Sequence, residues 1–378
     1  MAKWRWRRLA LAGAGLVLGA MLLLAALARV HLVRTPLGVL LVPRARAGWA
    51  DAVMDVSGWT QTDYFRHPAL MASLRPATRE ALMVGDWLQA LHGQLTLARV
   101  ERWLLGATAW LFLCTTLLTA AALAGTGKVR WAAAGAGRAG LGLVTAAVLL
   151  RAWSAGRLPY SSLYEFLLLF LWAAAGALWA LEAAARRQGW RAEPAELVLA
   201  PLLAALASYG AGLPPRLQQV APLVPVLQSN WLVLHVVTAA ASYAAAAVAF
   251  AASAALLVQE RLQRRGWGAA LPASAMLDGV SYWCIKAAFP LLTVVILSGA
   301  VWAKAVSGRY WSWDAKETAA LVTWLVYVVY LHVRVRSGWR GRAPALLAVL
   351  GFAAVMFTFL GVSLLPGFGG SYHSYGLR

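Results

Sequence analysis

Long apolar runs separated by short polar connections make up most of the chain. A bilayer core takes about 20 apolar residues of helix, and such runs fall near residues 9–29, 103–123, 139–152, 163–183, 196–212, 231–258, 285–303, 318–333 and 345–365. The pattern predicts an all-α fold, a polytopic transmembrane helix bundle of about nine spans. The third and fifth runs are its weakest members, being short and containing glycines, which disfavour helix. The first run follows the basic stretch Met1–Arg8 and continues almost unbroken from Leu9 to Leu27. It therefore reads as an uncleaved signal anchor over residues 1–30 rather than a cleaved signal peptide. One long polar segment, 31–101, carries Pro68, Pro76 and mixed charges, and is expected to be a small, partly helical extracytoplasmic insertion. Transmembrane helices follow at 102–212, and a last region covers 213–378.

Composition agrees with a membrane solvent: of 378 residues, 61% are hydrophobic and 13% charged, too apolar for an ordinary soluble domain. The net charge of +20, from 34 Lys and Arg against 14 Asp and Glu, raises the question of a nucleic-acid partner. Its distribution excludes one, because the basic residues sit in short connections, where they report membrane orientation. With a cytoplasmic N-terminus, the inside segments collect Lys3, Arg5, Arg7 and Arg8; Lys128, Arg130 and Arg138; Arg186, Arg187 and Arg191; Arg261, Arg264 and Arg265; and Arg334, Arg336, Arg340 and Arg342. From residue 150 onward the outside loops hold only Arg151, Arg157, Arg216, Lys304, Arg309, Lys316 and Arg378. The expected topology is N-terminus cytoplasmic and C-terminus periplasmic, in a bacterial inner membrane. Cys114 and Cys284 are far apart and form neither CxxC nor CxxCH, so any thiol chemistry belongs to another protein.

Trp occurs 20 times, and scattered copies such as Trp153, Trp172 and Trp190 fit an interfacial aromatic belt. The stretch from Trp302 to Thr318 is denser, placing Tyr310, Trp311, Trp313 and Asp314 in one short outside loop. Asp314 and Glu317 read as a capping box for the next helix, a role compatible with ligand binding by the same loop. The aromatic rings suit a flat apolar macrocycle, with Lys304, Arg309 and Lys316 available to carboxylates.

Among six histidines, His31, His67 and His92 fall in or beside the insertion, where a solvated imidazole is the ordinary explanation. His235 lies just inside the outer end of its span and His373 follows the last span, so both open on the face of the Trp-rich loop. Each alone reads as an interfacial polar residue; together they suit the two axial positions of a haem iron. His332 sits near the inner end of its span, about a bilayer away from the other two, and an ionisable group there is a functional candidate.

These residues carry a resemblance. Tyr310-Trp-Ser-Trp-Asp-Ala-Lys-Glu-Thr318 resembles the tryptophan-rich "WWD" signature of haem-handling membrane proteins, and its flanks resemble the CcsA family, also called ResC, of System II cytochrome c biogenesis. Pro225-Val-Leu-Gln-Ser-Asn-Trp-Leu-Val-Leu-His-Val236, Pro290-Leu-Leu-Thr293, Tyr330-Leu-His-Val-Arg334, His373-Ser-Tyr375 and, upstream, Pro159-Tyr-Ser-Ser-Leu-Tyr-Glu165 resemble family segments in order, over about residues 139 to 378. Ser307 and Ala319 stand where the family often has Trp, and Ala315 where it often has Pro. The resemblance implies a haem-handling region at 213–378 with its WWD loop at 302–318, binding haem b (iron protoporphyrin IX). His235 and His373 would be the outer axial pair. His332 would be an inner ligand whose iron takes its other ligand from a CcsB/ResB-type partner. Trp302, Tyr310, Trp311, Trp313 and Asp314 would form the loop that presents haem to an apocytochrome c CxxCH motif, with thiol-reducing proteins as further partners.

Three functions follow. The first is the haem-binding subunit of a holocytochrome c synthase, an enzyme only together with its partner. The second is a haem exporter or chaperone without ligase activity. The third, a b-type cytochrome, requires pairs of histidines at equal depth on facing helices, a pattern the sequence lacks.

Overall fold

The structure, a computed structural model, describes residues 30–35, 38–43, 87–124, 129–213, 215–218, 220, 227–265 and 274–362. Every apolar run from residue 103 onward is a helix. They are α1 (Trp87–Leu123), α2 (Arg130–Ala155), α3 (Leu163–Gln188), α4 (Glu193–Gly212), the single turn α5 (Pro215–Gln218), α6 (Asn230–Gln263), α7 (Ser274–Ser307), α8 (Ala315–Val335) and α9 (Arg342–Met356). Helix α9 continues through a π-helical turn, Phe357–Gly361. Eight of these are long and apolar enough to cross a membrane. The run at 9–29 lies outside the described residues, as do His67, His373 and the C-terminus. In the polar segment, β1 (Val30–Thr35) pairs antiparallel with β2 (Gly38–Pro43), Val30 opposite Pro43 and Thr35 opposite Gly38, and α1 begins well before residue 101.

Local chemistry sets the helix ends. Ser162 caps α3 by accepting from Glu165 N, and α3 and α2 close on left-handed glycines, Gly189 (φ +70°) and Gly156 (φ +63°), the conformation that lacks a Cβ penalty. The run at 139–152 extends to 26 residues because its glycines serve packing. Gly140 would place a Cβ 3.2 Å from the Phe112 ring, and Gly137 one 3.6 Å from Thr115, so α1 and α2 approach closely.

Side-chain contacts show an up-and-down order, since partner numbers run in opposite directions along each pair of helices. Along α6 and α7, His235 meets Val295, Ser242 donates to Ala288 O (3.0 Å) and Ser253 donates to Ser281 (2.7 Å). Between α7 and α8, Trp324 Nε1 donates to Thr293 Oγ1 (3.0 Å) and Arg334 pairs with Asp278. Such bonds satisfy polar groups where no water competes. The connections after α1, α3, α6 and α8 thus share one end, which holds most of the arginines of the connections. Those after α2, α4 and α7 share the other. Alanine-rich α6 is the centre, packed against α7, α9, α3 and α4, and 72% of its most apolar window is buried. The corresponding figure for α8 is 17%, which leaves that helix at the periphery with most of its surface turned outward.

Candidate functional site

His235 lies five residues inside α6, half-buried against α7. Its Nδ1 is 2.8 Å from Val295 O. A carbonyl only accepts, so in the neutral ring Nδ1 carries the proton and Nε2 is the basic nitrogen, the tautomer a metal-binding imidazole uses. Gly299 makes this fit possible: a Cβ there would sit 2.9 Å from Nδ1 and 3.0 Å from Cε1. The glycine of α7 is therefore the floor on which the ring rests. Trp302, one turn further along α7, is buried with Leu169, Leu227, Leu232, Val236 and Ala240, and Tyr160 packs on the same cluster. Trp302 thus acts as a packed wall beside His235, at the end of the bundle where α7 gives way to the Trp-rich loop. Burial pushes the Tyr160 phenol up, against the pull of Arg157, so it stays neutral.

The loop from Gly308 to Asp314 is held at several points. Lys304 Nζ donates to Gly308 O (2.7 Å) and lies over the Tyr310 ring at 5.5 Å. Asp314 Oδ1 accepts from Lys316 N (2.9 Å) and Glu317 N (2.7 Å), capping α8 as its sequence suggests. Glu317 does not close a reciprocal box; it turns back to accept from Ser312 N (2.7 Å) and Ser312 Oγ (3.1 Å). Trp313 takes φ +59°, a left-handed conformation that costs a non-glycine residue about 1–2 kcal/mol. Its ring is 69% exposed and perpendicular to that of Trp311 (86°, centroids 5.7 Å apart). The aromatic surface is therefore a corner rather than a flat shelf. The Trp311 indole N–H is buried in it without an acceptor. Arg309 is exposed, whereas Lys304 is already committed to the loop.

His332 occupies the last turn of α8, about 26 Å along that helix from its first residue. It is at the opposite end of the bundle from His235, and the two cannot share one ligand. The imidazole is exposed, in line with Val322, Leu325 and Val329 on the outward face of α8. Two residues on, Arg334 turns inward to pair with Asp278, lie 5.2 Å over the Tyr282 ring and donate to Trp339 O (2.8 Å). Gly341 N donates to the same Asp278 (3.0 Å), so this cluster fixes the α8–α9 turn.

Several of these residues escape sequence reading. Gly299 lies within an apolar run, and Asp278 just before the same run, with no local pattern to mark either. Arg151 and Arg157 count by position as loop charges, yet are 1% and 7% exposed. Glu165 takes both, with Arg157 Nη1 at 2.7 Å and Arg151 Nε at 3.2 Å, while Arg151 also reaches Glu101 (3.4 Å) and Gln218 O (2.6 Å). Tyr164 donates to Glu101 (3.2 Å). This network ties the α2–α3 loop, and with it Tyr160, to α1. A carboxylate three residues into a span is the one signal that could have flagged it.

Residues 160–368 match the model of the cytochrome c assembly protein family. Curated relatives are similar over most of their length. The cytochrome c biogenesis protein CcsA of Synechococcus sp. (strain CC9605) is 40% identical over 284 residues, covering 65% of this chain and 90% of the relative. That of Synechococcus sp. (strain CC9902) is 41% identical over 263 residues, 62% and 83%. That of Prochlorococcus marinus (strain NATL2A) is 38% identical over 265 residues, 62% and 81%.

Proposed function

Because the chain belongs to the cytochrome c assembly protein family, we propose that it is the haem-binding subunit of a System II cytochrome c synthase, carrying haem b as cargo to the periplasmic face of the inner membrane. The observation that carries this reading is His235, proton on Nδ1, seated on Gly299 beside Val295 O at the end of the bundle that bears the Trp corner. Val295 orients the ring and raises the basicity of Nε2, as outer-shell carbonyls do for ligating imidazoles. His373, from beyond the described residues, supplies the second axial nitrogen. The Trp311–Trp313 corner and Tyr310 hold the macrocycle, and exposed Arg309 pairs with a propionate.

His332 faces outward on peripheral α8, the placement required of a ligand whose iron is shared with another chain. The partner is a CcsB/ResB-type membrane protein. In the attachment step each cysteine S–H of the apocytochrome CxxCH motif adds across a haem vinyl C=C, giving a thioether with no net change of oxidation state. His235 and His373 would hold the iron until the acceptor arrives. Co-expression with a ResB-type partner and an apocytochrome, scoring covalent haem, tests the proposal. Wild-type protein should yield holocytochrome and His235→Ala should not, with added imidazole restoring part of the yield. Haem carried to the outer face without covalent product would make the protein an exporter instead.

A further inference from the structure

At the arginine-rich end, far from the Trp corner, α1, α2, α3 and α4 enclose a cavity of about 210 Å³ lined by Thr119, Arg130, Trp131, Glu182, Arg186 and Glu196, among others. It is smaller than pockets for drug-sized ligands, which start near 300 Å³, and takes a small head rather than a macrocycle. Its charges are not matched pair by pair. Arg130 and Arg191 (3.5 Å) both pair with Glu193, and Arg186 pairs with Glu182 (3.4 Å). Glu196 is 7% exposed; among the described residues its carboxylate has one long hydrogen bond, from Thr119 Oγ1 (3.4 Å), and no cation within ion-pair reach. A buried carboxylate in that state calls for a positive partner. A metal ion is not indicated, because no group of three or more metal-ligating side chains occurs among the described residues.

The mouth of the cavity has the opposite character. The Arg130 and Arg186 side chains are 44% and 43% exposed, leaving guanidinium N–H groups directed at solvent, and Trp131 is 75% exposed, as an interfacial anchor would be. An ammonium below and an anion above, at the level where a membrane helix meets the headgroups, describe a zwitterion with a primary amine. We infer that this cavity binds the headgroup of an amine-bearing phospholipid, phosphatidylethanolamine, with the phosphate on Arg130 and Arg186 and the ammonium on Glu196. The site is independent of the haem ligands. A choline head cannot substitute, since it has no N–H to donate to Glu196, and a glycerol head brings no cation.

Full-length protein purified into nanodiscs of defined composition, then stripped by detergent exchange, allows the retained lipid to be counted by mass spectrometry. The wild type should hold phosphatidylethanolamine about tenfold over phosphatidylcholine and phosphatidylglycerol, the factor expected for one charge-assisted hydrogen bond. Glu196→Gln should remove that preference, whereas Arg130→Ala should lower retention of all three lipids. Equal retention of the three by the wild type, or an unchanged preference in Glu196→Gln, would overturn the assignment. So would displacement by micromolar soluble glycerophosphoethanolamine, which would mark the cavity as a site for a free phosphoamine. The wild-type comparison needs no variant, so a folding defect in either substitution leaves the test intact.

Discussion

Replacing Gly299 by Ala is the sharpest test of the His235 geometry, because the change is one methyl group in a helix that should welcome it. Ala in place of an interior helical Gly is favourable by about 1 kcal/mol. The new Cβ, however, would stand 2.9 Å from His235 Nδ1 and 3.0 Å from Cε1, against about 3.5 Å or more for a relaxed contact. The backbone of α7 is held by its own hydrogen bonds, so the imidazole has to give way by about 0.5 Å. That movement stretches the 2.8 Å bond to Val295 O beyond the usual range for N–H···O. The bond is worth about 1 kcal/mol net, close to what the helix gains, so the protein should remain folded. The loss falls on orientation: outer-shell partners of ligating imidazoles are typically worth 10- to 100-fold in affinity. Purified in complex with its partner, Gly299→Ala should lose haem and respond to imidazole as His235→Ala does. Gly279→Ala is the control, on the same helix with nothing within 4 Å of its added Cβ. If the two glycine variants retain haem equally, Gly299 does not position His235 and the site is wrongly drawn.

His332→Ala should lower the haem content of the complex and recover part of it with imidazole; an unchanged content would make His332 a membrane-facing residue without a ligand. Trp311→Ala and Trp313→Ala each remove a ring contact worth about 1 kcal/mol and should reduce haem retention without shifting the absorption bands, so a change of spin state in either would refute a purely aromatic role. Glu165→Gln leaves Arg151 and Arg157 buried with Glu101 as the remaining carboxylate, and should destabilise the protein by about 3–5 kcal/mol, read as a lower Tm in detergent; an unaltered Tm would show the network to be dispensable. Topology reporters at Gly308 and after Arg378 should both register as periplasmic, and a cytoplasmic signal from either would separate His373 from the Trp corner.

The eight described spans were legible in the hydrophobic pattern because a bilayer demands an uninterrupted apolar helix whatever the neighbours are. The density of Trp311, Trp313 and Asp314 before α8 was legible for a similar reason: capping and clustering act over a few residues, and Asp314 caps α8 as its sequence suggests. The hydrophobic pattern marks only 139–152 of the 26-residue α2, since glycine is penalised in an isolated helix and Gly137 and Gly140 are rewarded only once Thr115 and Phe112 lie against them.

What required the tertiary structure depends on groups distant in sequence. Gly299 has meaning only because α6 brings His235 to it from 64 positions away, and Arg151 is a loop charge by position but a buried ligand of Glu165 and Glu101 in space. The sequence by itself determined the solvent and the helical kind of the elements from residue 103 onward, because these follow from local hydrophobicity. Only the packed bundle decided which imidazole rests on a glycine, which faces outward, and which buried carboxylate has no ion-pair partner among the described residues, because a side chain's environment is supplied by helices that its own stretch of sequence does not encode.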